Sequence, residues 1–305
     1  MTLKKVALFG ANGNLGIEIL KALVSSGHFD VTAIKRESSP YTLPPAFSSS
    51  TVHLKTVDDS LSTPSLEAAL RGQDAVIVSI PLRDPVQHLR IADAAAAAGV
   101  RRVIPADYGS CDSDSPRAQE LVPLFKHKAN VRARLQELAD KDANFAWTSL
   151  VCGHFFDWGL RENFLHFDLA KRKADILDHG NYKSSTATLA RVSEAIVAIL
   201  AADEETTRNK VLFIQSFCVS QNDVLAALEK ATGAKWEVNF VESEAFIEDR
   251  RAKAQAGDRD AVEDLVFALG ALDGNWETRE GFSMELLGLE NEDLDEVVKR
   301  VVDSQ

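Results

Sequence analysis

One segment near the start constrains the fold more than the rest of the chain. The apolar run Val6-Ala7-Leu8-Phe9 breaks into Gly10-Ala11-Asn12-Gly13-Asn14-Leu15-Gly16, and apolar residues at helical spacing follow at Ile17, Leu20, Leu23 and Val24. A second apolar run, Val31-Thr32-Ala33-Ile34, ends in Lys35-Arg36. Strand, glycine turn, helix and strand in that order form the opening βαβ of a dinucleotide-binding fold. Gly10 is expected to turn the chain off the strand, Gly13 to clear a side chain from an approaching pyrophosphate, and Gly16 to let the helix pack closely. The helix N-terminus at Asn14, Leu15 and Gly16 then offers N–H groups to phosphate, with Asn12 in the turn before it. The spacing is G-x-x-G-x-x-G rather than G-x-G-x-x-G, and an ordinary strand-to-helix loop is the competing reading.

The tip of the second strand selects the cofactor. A carboxylate there would bind the ribose 2′-hydroxyl of NAD. This chain has Lys35 and Arg36, with Ser38 and Ser39 close by. A guanidinium matches phosphate oxygens and a carboxylate would repel them, so the expected cofactor is NADPH/NADP+. Arg36 shares the face of Ile34 in an alternating strand and is the expected 2′-phosphate contact. Lys35 is a second contact or a plain surface charge.

The chain of 305 residues can bury one large core or two unequal ones. Its net charge of −12, with no basic stretch to offset it, argues against a nucleic-acid partner. The three cysteines and seven histidines show no metal-ligand spacing. They predict free thiols in a reducing compartment and no metal. No signal peptide is visible and no apolar stretch approaches about eighteen residues. The expectation is a cytoplasmic protein with a small-molecule substrate and no membrane partner, a homodimer being allowed.

Strands and helices alternate through the first half. Strands are expected at residues 51–57, 74–80 and 102–104. One helix is expected behind Thr63 as N-cap, with Pro64 in its first turn, and another from Pro85 through the alanine run. The alternation predicts an α/β fold, a Rossmann-type doubly wound parallel sheet with ligands at the carboxyl ends of its strands. Asp58, Ser79 and Ile80 stand just past such ends and are further cofactor candidates. Residues 1–150, completed by part of 183–220, are expected to form the nucleotide-binding domain. Residues 151–182 and 221–305 are expected to form a smaller C-terminal substrate-binding domain.

Past residue 150 the pattern changes. Phe155, Phe156, Trp158, Phe164 and Phe167 crowd together, as the wall of an apolar pocket or as plain core. Tyr108, His154, Phe155, Phe156 and Trp158 are the expected substrate contacts, His154 reading equally well as a structural histidine. Ser220 reads as an N-cap before Val224, Leu225 and Leu228. Residues 242–268 read as a solvated, charge-rich helical stretch, and 284–302 as an acidic amphipathic helix.

A helix starting at Pro123 carries the candidate catalytic group. Leu124, Lys128, Val131, Leu135 and Leu138 form one stripe, apolar except for Lys128. Lys126 instead shares a polar face with Asn130, Ala133 and Glu137. Burial disfavours the charged form of Lys128, and Arg132 one turn later adds repulsion, so both lower its pKa as a proton donor requires. In the competing reading Lys128 snorkels to water. No Tyr-x-x-x-Lys pair exists: Leu124 precedes Lys128 by four, and Thr186 follows Tyr182 by four.

Taken with these features, Lys35-Arg36-Glu37, the stretch from Leu66 to Ile77, Arg101-Arg102-Val103-Ile104-Pro105-Ala106-Asp107-Tyr108-Gly109 and Val219-Ser220-Gln221-Asn222-Asp223 carry a resemblance. Over nearly its whole length the chain resembles the NmrA-like and isoflavone-reductase-like proteins, atypical members of the short-chain dehydrogenase superfamily. The resemblance implies that Lys128 is the general acid/base beside the nicotinamide. It also implies that Arg36 holds the 2′-phosphate and that a small C-terminal domain closes over the cofactor cleft. The plant reductases read Pro-Ser-Glu-Phe-Gly where this chain has Pro105-Ala106-Asp107-Tyr108-Gly109, so their isoflavonoid or lignan substrates are not implied.

The expected function is an NADPH-dependent reductase of a small apolar, aromatic or polyketide-like carbonyl, enone or benzylic substrate, with lysine as general acid/base. The alternative is a non-catalytic NAD(P)-sensing regulator of the NmrA type, a branch that resembles this chain in fold but generally lacks the lysine.

Overall fold

The computed structural model describes residues 3–45, 47 and 52–305; Thr51, where the third strand was expected to begin, lies outside the described residues. The elements run β1 (Lys5–Phe9), α1 (Asn14–Ser26), β2 (Asp30–Arg36), β3 (Val52–Val57), α2 (Thr63–Leu70), β4 (Ala75–Val78), α3 (Pro85–Ala97), β5 (Arg102–Ile104), α4 (Pro116–Leu121), α5 (Pro123–Lys141) and β6 (Ala146–Val151). They continue as β7 (His154–Phe155), α6 (Phe156–Arg161), β8 (Phe167–Asp168), β9 (Lys173–Leu177), β10 (Lys183–Ala187), α7 (Leu189–Ala201), α8 (Glu204–Thr207) and β11 (Lys210–Phe213). The last are β12 (Phe217–Ser220), α9 (Gln221–Thr232), β13 (Glu237–Val241), α10 (Ser243–Gln255), α11 (Arg259–Asp273) and α12 (Leu294–Asp303).

A seven-stranded sheet has the order β11-β6-β5-β4-β1-β2-β3, and the pairings from β3 through β6 are parallel. The chain leaves β1 toward β2 and β3, then returns to β4 on the other side and continues to β5 and β6. This is the doubly wound α/β arrangement. Its switch point lies between β1 and β4, where such sheets bind ligands at the strands' carboxyl ends. Val6, Ala7 and Leu8 in β1 are each 0% exposed, as a central parallel strand covered on both faces requires. Phe9 pairs with both Ile34 and Val78, so the ends of β1, β2 and β4 come level beside the glycine turn.

Two compact units divide the chain. The first comprises Met1–Asp107, Lys126–Leu150 and Val192–Leu212; the second comprises Tyr108–Phe125, Val151–Arg191 and Phe213–Gln305. Residues 108–125, grouped with the nucleotide-binding half from sequence, pack in the second unit. That unit holds two three-stranded sheets, β12-β10-β7 and β13-β9-β8. Phe125, Phe156, Phe167, Leu228, Leu265 and Val298 are among its buried core residues.

Local expectations meet three corrections. The N-cap of α2 is Ser62, not Thr63, and Pro64 still lies in the first turn. Residues 242–268 do not form one solvated helix. They fall in α10 and α11, separated around Gly257, where Asp258 caps the second helix. Phe246, Ile247, Ala261, Leu265, Phe267 and Ala268 are buried there, because a charge-rich sequence still leaves room for one apolar stripe per helix. Helix in the 284–302 stretch begins only at Leu294, behind the N-cap Asp293, while Met284 and Leu287 are buried in irregular backbone before it. Ser220 caps α9 as expected, in a reciprocal capping box with Asp223.

Candidate active site

The carboxyl ends of β1, β2 and β4 open on a cleft of about 440 Å³, lined in part by Gly10, Ala11, Asn12, Arg36, Ile80 and Arg83. Gly10 has φ +82°, and a Cβ there would lie 2.2 Å from the Ser79 carbonyl oxygen. A Cβ on Gly16 would lie 1.9 Å from the Gly10 carbonyl oxygen. Both glycines are demanded by the backbone itself. Gly13 differs: its Cβ would meet nothing closer than 3.4 Å, an ordinary contact. It is also the N-cap of α1 and supplies no capping side chain, whereas Asp84 caps α3 and Ser220 caps α9. An N-terminus without a side-chain cap leaves N–H donors that suit an anion. Asn14 and Leu15 open α1, Leu15 with its side chain buried.

Two guanidiniums, Arg36 at the end of β2 and Arg83 after β4, are exposed at this cleft. Lys35 also lines it, but its Nζ donates to the carbonyls of Ser39 and Tyr41, both at 3.1 Å, and so fastens the following loop. The Tyr41 hydroxyl lines the same cleft region, buried and without a hydrogen-bond partner among the described residues. Ser38 turns to Asp59, giving its N–H at 3.0 Å and its hydroxyl at 2.7 Å. Asp58 accepts from the Ser60 hydroxyl at 2.6 Å and from the Ser62 N–H at 3.1 Å and hydroxyl. These bonds, that from Ser60 first, hold its carboxyl well below the usual carboxylate range. Asp58 therefore builds the turn into α2, and its neighbours Val57 and Leu61 line the cleft. Ser79 contributes backbone, donating its N–H to the Phe9 carbonyl at 2.9 Å. Tyr41, Arg83 and Gln87 were not singled out from sequence; Arg83 was findable as a cation just past a strand end.

Helix α5 buries Phe125, Lys128, Val131, Arg132, Leu135 and Ala139. The stripe thus runs one position off the expected one at each end, with Leu124 and Leu138 half-buried, while Lys126, Asn130, Ala133 and Glu137 face water. Lys128 is 9% exposed, so burial and not snorkelling describes its side chain. It lines a small cavity with Leu82, His88, Pro105, Ala106, Asp107 and Val131. Arg132 does not act there as an unopposed charge: its Nε donates to Asp107 Oδ2, and to Ser149 Oγ at 3.2 Å. The Ser149 hydroxyl donates to the same carboxylate oxygen. The repulsion expected from Arg132 is offset by this buried ion pair. His88, from α3, has its Nε2 3.4 Å from the Pro81 carbonyl oxygen, and burial pushes its pKa down to about 4. It is neutral at neutral pH. His88 and Asp107 escaped the sequence reading, though Asp107 falls in a post-strand segment.

In the second unit, His154 and Phe156 line a cavity with Leu165, Phe167, Thr186 and Phe267. Burial pushes the His154 pKa down to about 4, and its ring stacks on Phe267 with centroids 5.9 Å apart. A Cβ on Gly270 would lie 2.3 Å from His154 Nε2, so the glycine makes room for the ring. Phe156 packs edge-on to Phe217 at 4.7 Å and, with Phe167, belongs to the core. Phe155 and Trp158 are half-buried, Trp158 lying 5.6 Å from Phe164. Tyr108 is half-buried at φ +26°, in the left-handed region. Among the described residues no disulfide joins Cys111, Cys152 or Cys218.

Residues 2–256 match the model of the NmrA-like family. The chain belongs to that family. This NmrA-like protein is 37% identical over 241 residues to the oxidoreductase aprR of Aspergillus flavus, a match covering 79% of this chain and 78% of the relative. It is 30% identical over 301 residues to the oxidoreductase poxI of Penicillium oxalicum, covering 96% and 92%. A crystal structure of isoflavone reductase shares the fold with a TM-score of 0.80 at 22% identity, over 98% of this chain and 99% of that one. A structure of AtPrR2 with NADP+ and (+)pinoresinol shares it with a TM-score of 0.79 at 19% identity, over 99% of each chain. Among the described residues no helix of this NmrA-like protein is long and apolar enough to cross a membrane. Among the same residues no group of three or more His, Cys, Asp or Glu side chains could hold a metal ion.

Proposed function

We propose that the protein is an NADPH-dependent reductase of a small, largely apolar carbonyl, enone or benzylic compound, aromatic or polyketide-like, with Lys128 as the general acid. The observation that carries this is the buried amine: Lys128 shares a cavity with a carboxylate and a neutral imidazole, in the unit that contains the glycine turn. The oxidoreductase relatives support redox chemistry, and the NADP+ of AtPrR2 supports the cofactor.

The first unit is the nucleotide-binding domain in this reading. Its residues fit the cofactor. Gly13 and the uncapped start of α1 would take the pyrophosphate, with Gly10, Asn12, Asn14, Leu15 and Gly16 shaping the turn. Arg36 would take the 2′-phosphate, and the buried Tyr41 hydroxyl supplies a polar atom that lacks a partner among the described residues. Ser79 and Ile80 wall the cleft, while Lys35, Ser38 and Asp58 hold its rim in shape. NADPH supplies the hydride when bound. Lys128 gives a proton to the substrate oxygen and recovers one from solvent. The second unit is the substrate domain, with Tyr108, His154, Phe155, Phe156 and Trp158 as apolar contacts.

The test is NADPH oxidation across a panel of aromatic ketones and enones with product identification. Turnover of a panel member supports the reading. Tight NADPH binding with no turnover on any of them favours a nucleotide sensor.

A further inference from the structure

Asp107 lines the same cavity as Lys128 and has an oxygen to spare. It follows β5 and is 2% exposed. Its Oδ2 accepts from Arg132 Nε and from the Ser149 hydroxyl. Its Oδ1 is buried and has no hydrogen-bond partner among the described residues. A leftover acceptor on a buried carboxylate is costly, and folds rarely keep one without use. The other polar side chains lining this cavity are Lys128 and His88. His88 Nε2 meets the Pro81 carbonyl, which only accepts, so the neutral ring carries its proton on Nε2 and has none to give from Nδ1. Lys128 is then the donor in this cavity from which Oδ1 can accept.

We propose that Asp107 is a positioning residue for Lys128: its carboxylate, with Oδ1 taken by no other donor among the described residues, is the charge in the shared cavity that keeps the amine in the ammonium form. Asp107 transfers no proton itself; the proton that leaves Lys128 for the substrate oxygen is replaced from solvent. Among the described residues, His88 on α3 and Asp107 after β5 line the cavity with the amine, and Arg132 stands one turn along α5 from it. His88 is neutral and Arg132 is matched by Oδ2, which leaves the carboxylate as the charge that favours ammonium. This deepens the reading of Lys128 as general acid, but it concerns an equilibrium of the amine that exists with or without turnover.

The experiment is a pH titration of Lys128 carrying carbon-13 methyl groups from reductive methylation, read by NMR, its signal assigned by its loss in Lys128→Arg. Asp107→Asn is compared with wild type, and Asp107→Asn/Arg132→Gln with Arg132→Gln. The second comparison uses a variant without either charge of the pair, so it stands if Asp107→Asn alone fails to fold. The expected result is a midpoint about one pH unit or more lower whenever Asp107 is Asn. Ser149→Ala, which touches only Oδ2, leaves the midpoint in place. A midpoint unmoved by Asp107→Asn in both backgrounds overturns the proposal. Failure of the reductase reading would show elsewhere, as wild-type protein that binds NADPH and reduces nothing, with this titration unchanged.

Discussion

A Cβ on Gly16 would stand 1.9 Å from the Gly10 carbonyl oxygen, whereas one on Gly13 would approach that same oxygen only to 3.4 Å. The backbone forbids a side chain at Gly16 and leaves room for one at Gly13. Gly16→Ala should lower the melting temperature of the protein without cofactor. Gly13→Ala should leave it nearly unchanged and weaken NADPH about tenfold or more, about 1.4 kcal/mol. Thermal unfolding and calorimetric titration read the two effects. Equal destabilisation by both substitutions would remove the reason for assigning Gly13 to the ligand.

Lys35 is tied to the following loop, whereas its neighbour Arg36 is exposed at the cleft. Arg36→Ala should weaken NADPH by about 1.5–3 kcal/mol, the worth of a charge-assisted contact, and NADH hardly at all. Lys35→Ala frees the carbonyls of Ser39 and Tyr41 and should weaken both cofactors alike. Fluorescence titrations with each nucleotide separate these outcomes. The same loss for NADPH and NADH in Arg36→Ala would refute the 2′-phosphate assignment.

Arg132→Leu should strand the Asp107 carboxylate, which is buried against it. Removing one partner of a buried pair costs about 3–5 kcal/mol. Ser149→Ala removes only a hydroxyl donor and should cost about 1 kcal/mol. Urea unfolding at neutral pH measures both, and an Arg132→Leu cost no larger than that of Ser149→Ala would mean that the pair is solvated.

His88 and His154 are both held neutral by burial, with pKa values pushed from 6.5 to about 4. The unfolded chain binds protons on them that the folded chain refuses, so stability is full above about pH 6.5 and is lost as pH falls toward about 4. Asp58 and Asp59, with lowered carboxyl pKa values, act only below that window. His88→Gln and His154→Gln should each flatten the fall in stability between pH 6.5 and 4, by up to about 1.4 kcal/mol per pH unit. Urea midpoints at pH 7 and pH 5 give the slopes; variants as acid-sensitive as the wild type would contradict the assignment.

The parts of this fold legible in the sequence are those that local spacing dictates. Gly10 and Gly16 stand out because the strand-to-helix turn forbids side chains there, and the parallel sheet follows from alternating apolar runs. Lys128 was visible as a cation on an apolar stripe, since the helical period fixes which residues face inward. The rest depends on register between distant segments. Asp107 and Ser149 meet Arg132 only because β5, β6 and α5 pack side by side, and although Asp107 stands just past a strand end, nothing local marks that pairing. His88 hides on the buried face of α3, and Asp58 was misleading because a strand-end carboxylate looks alike whether it faces a ligand or caps a turn. In α10 and α11 the abundance of charge masked a narrow apolar stripe. The aromatic run after β6 could not be divided into cavity wall and core without knowing which rings Phe217 and Phe267 would meet.

A paired measurement on Lys128→Met decides the matter: NADPH affinity by calorimetry, and NADPH oxidation with the best substrate of the panel. Reduction by wild type, lost at least about a hundredfold in Lys128→Met while the cofactor dissociation constant stays within a few-fold, is the predicted result. Substrate reduction by Lys128→Met at the wild-type rate would contradict it and move the proton donor to another group.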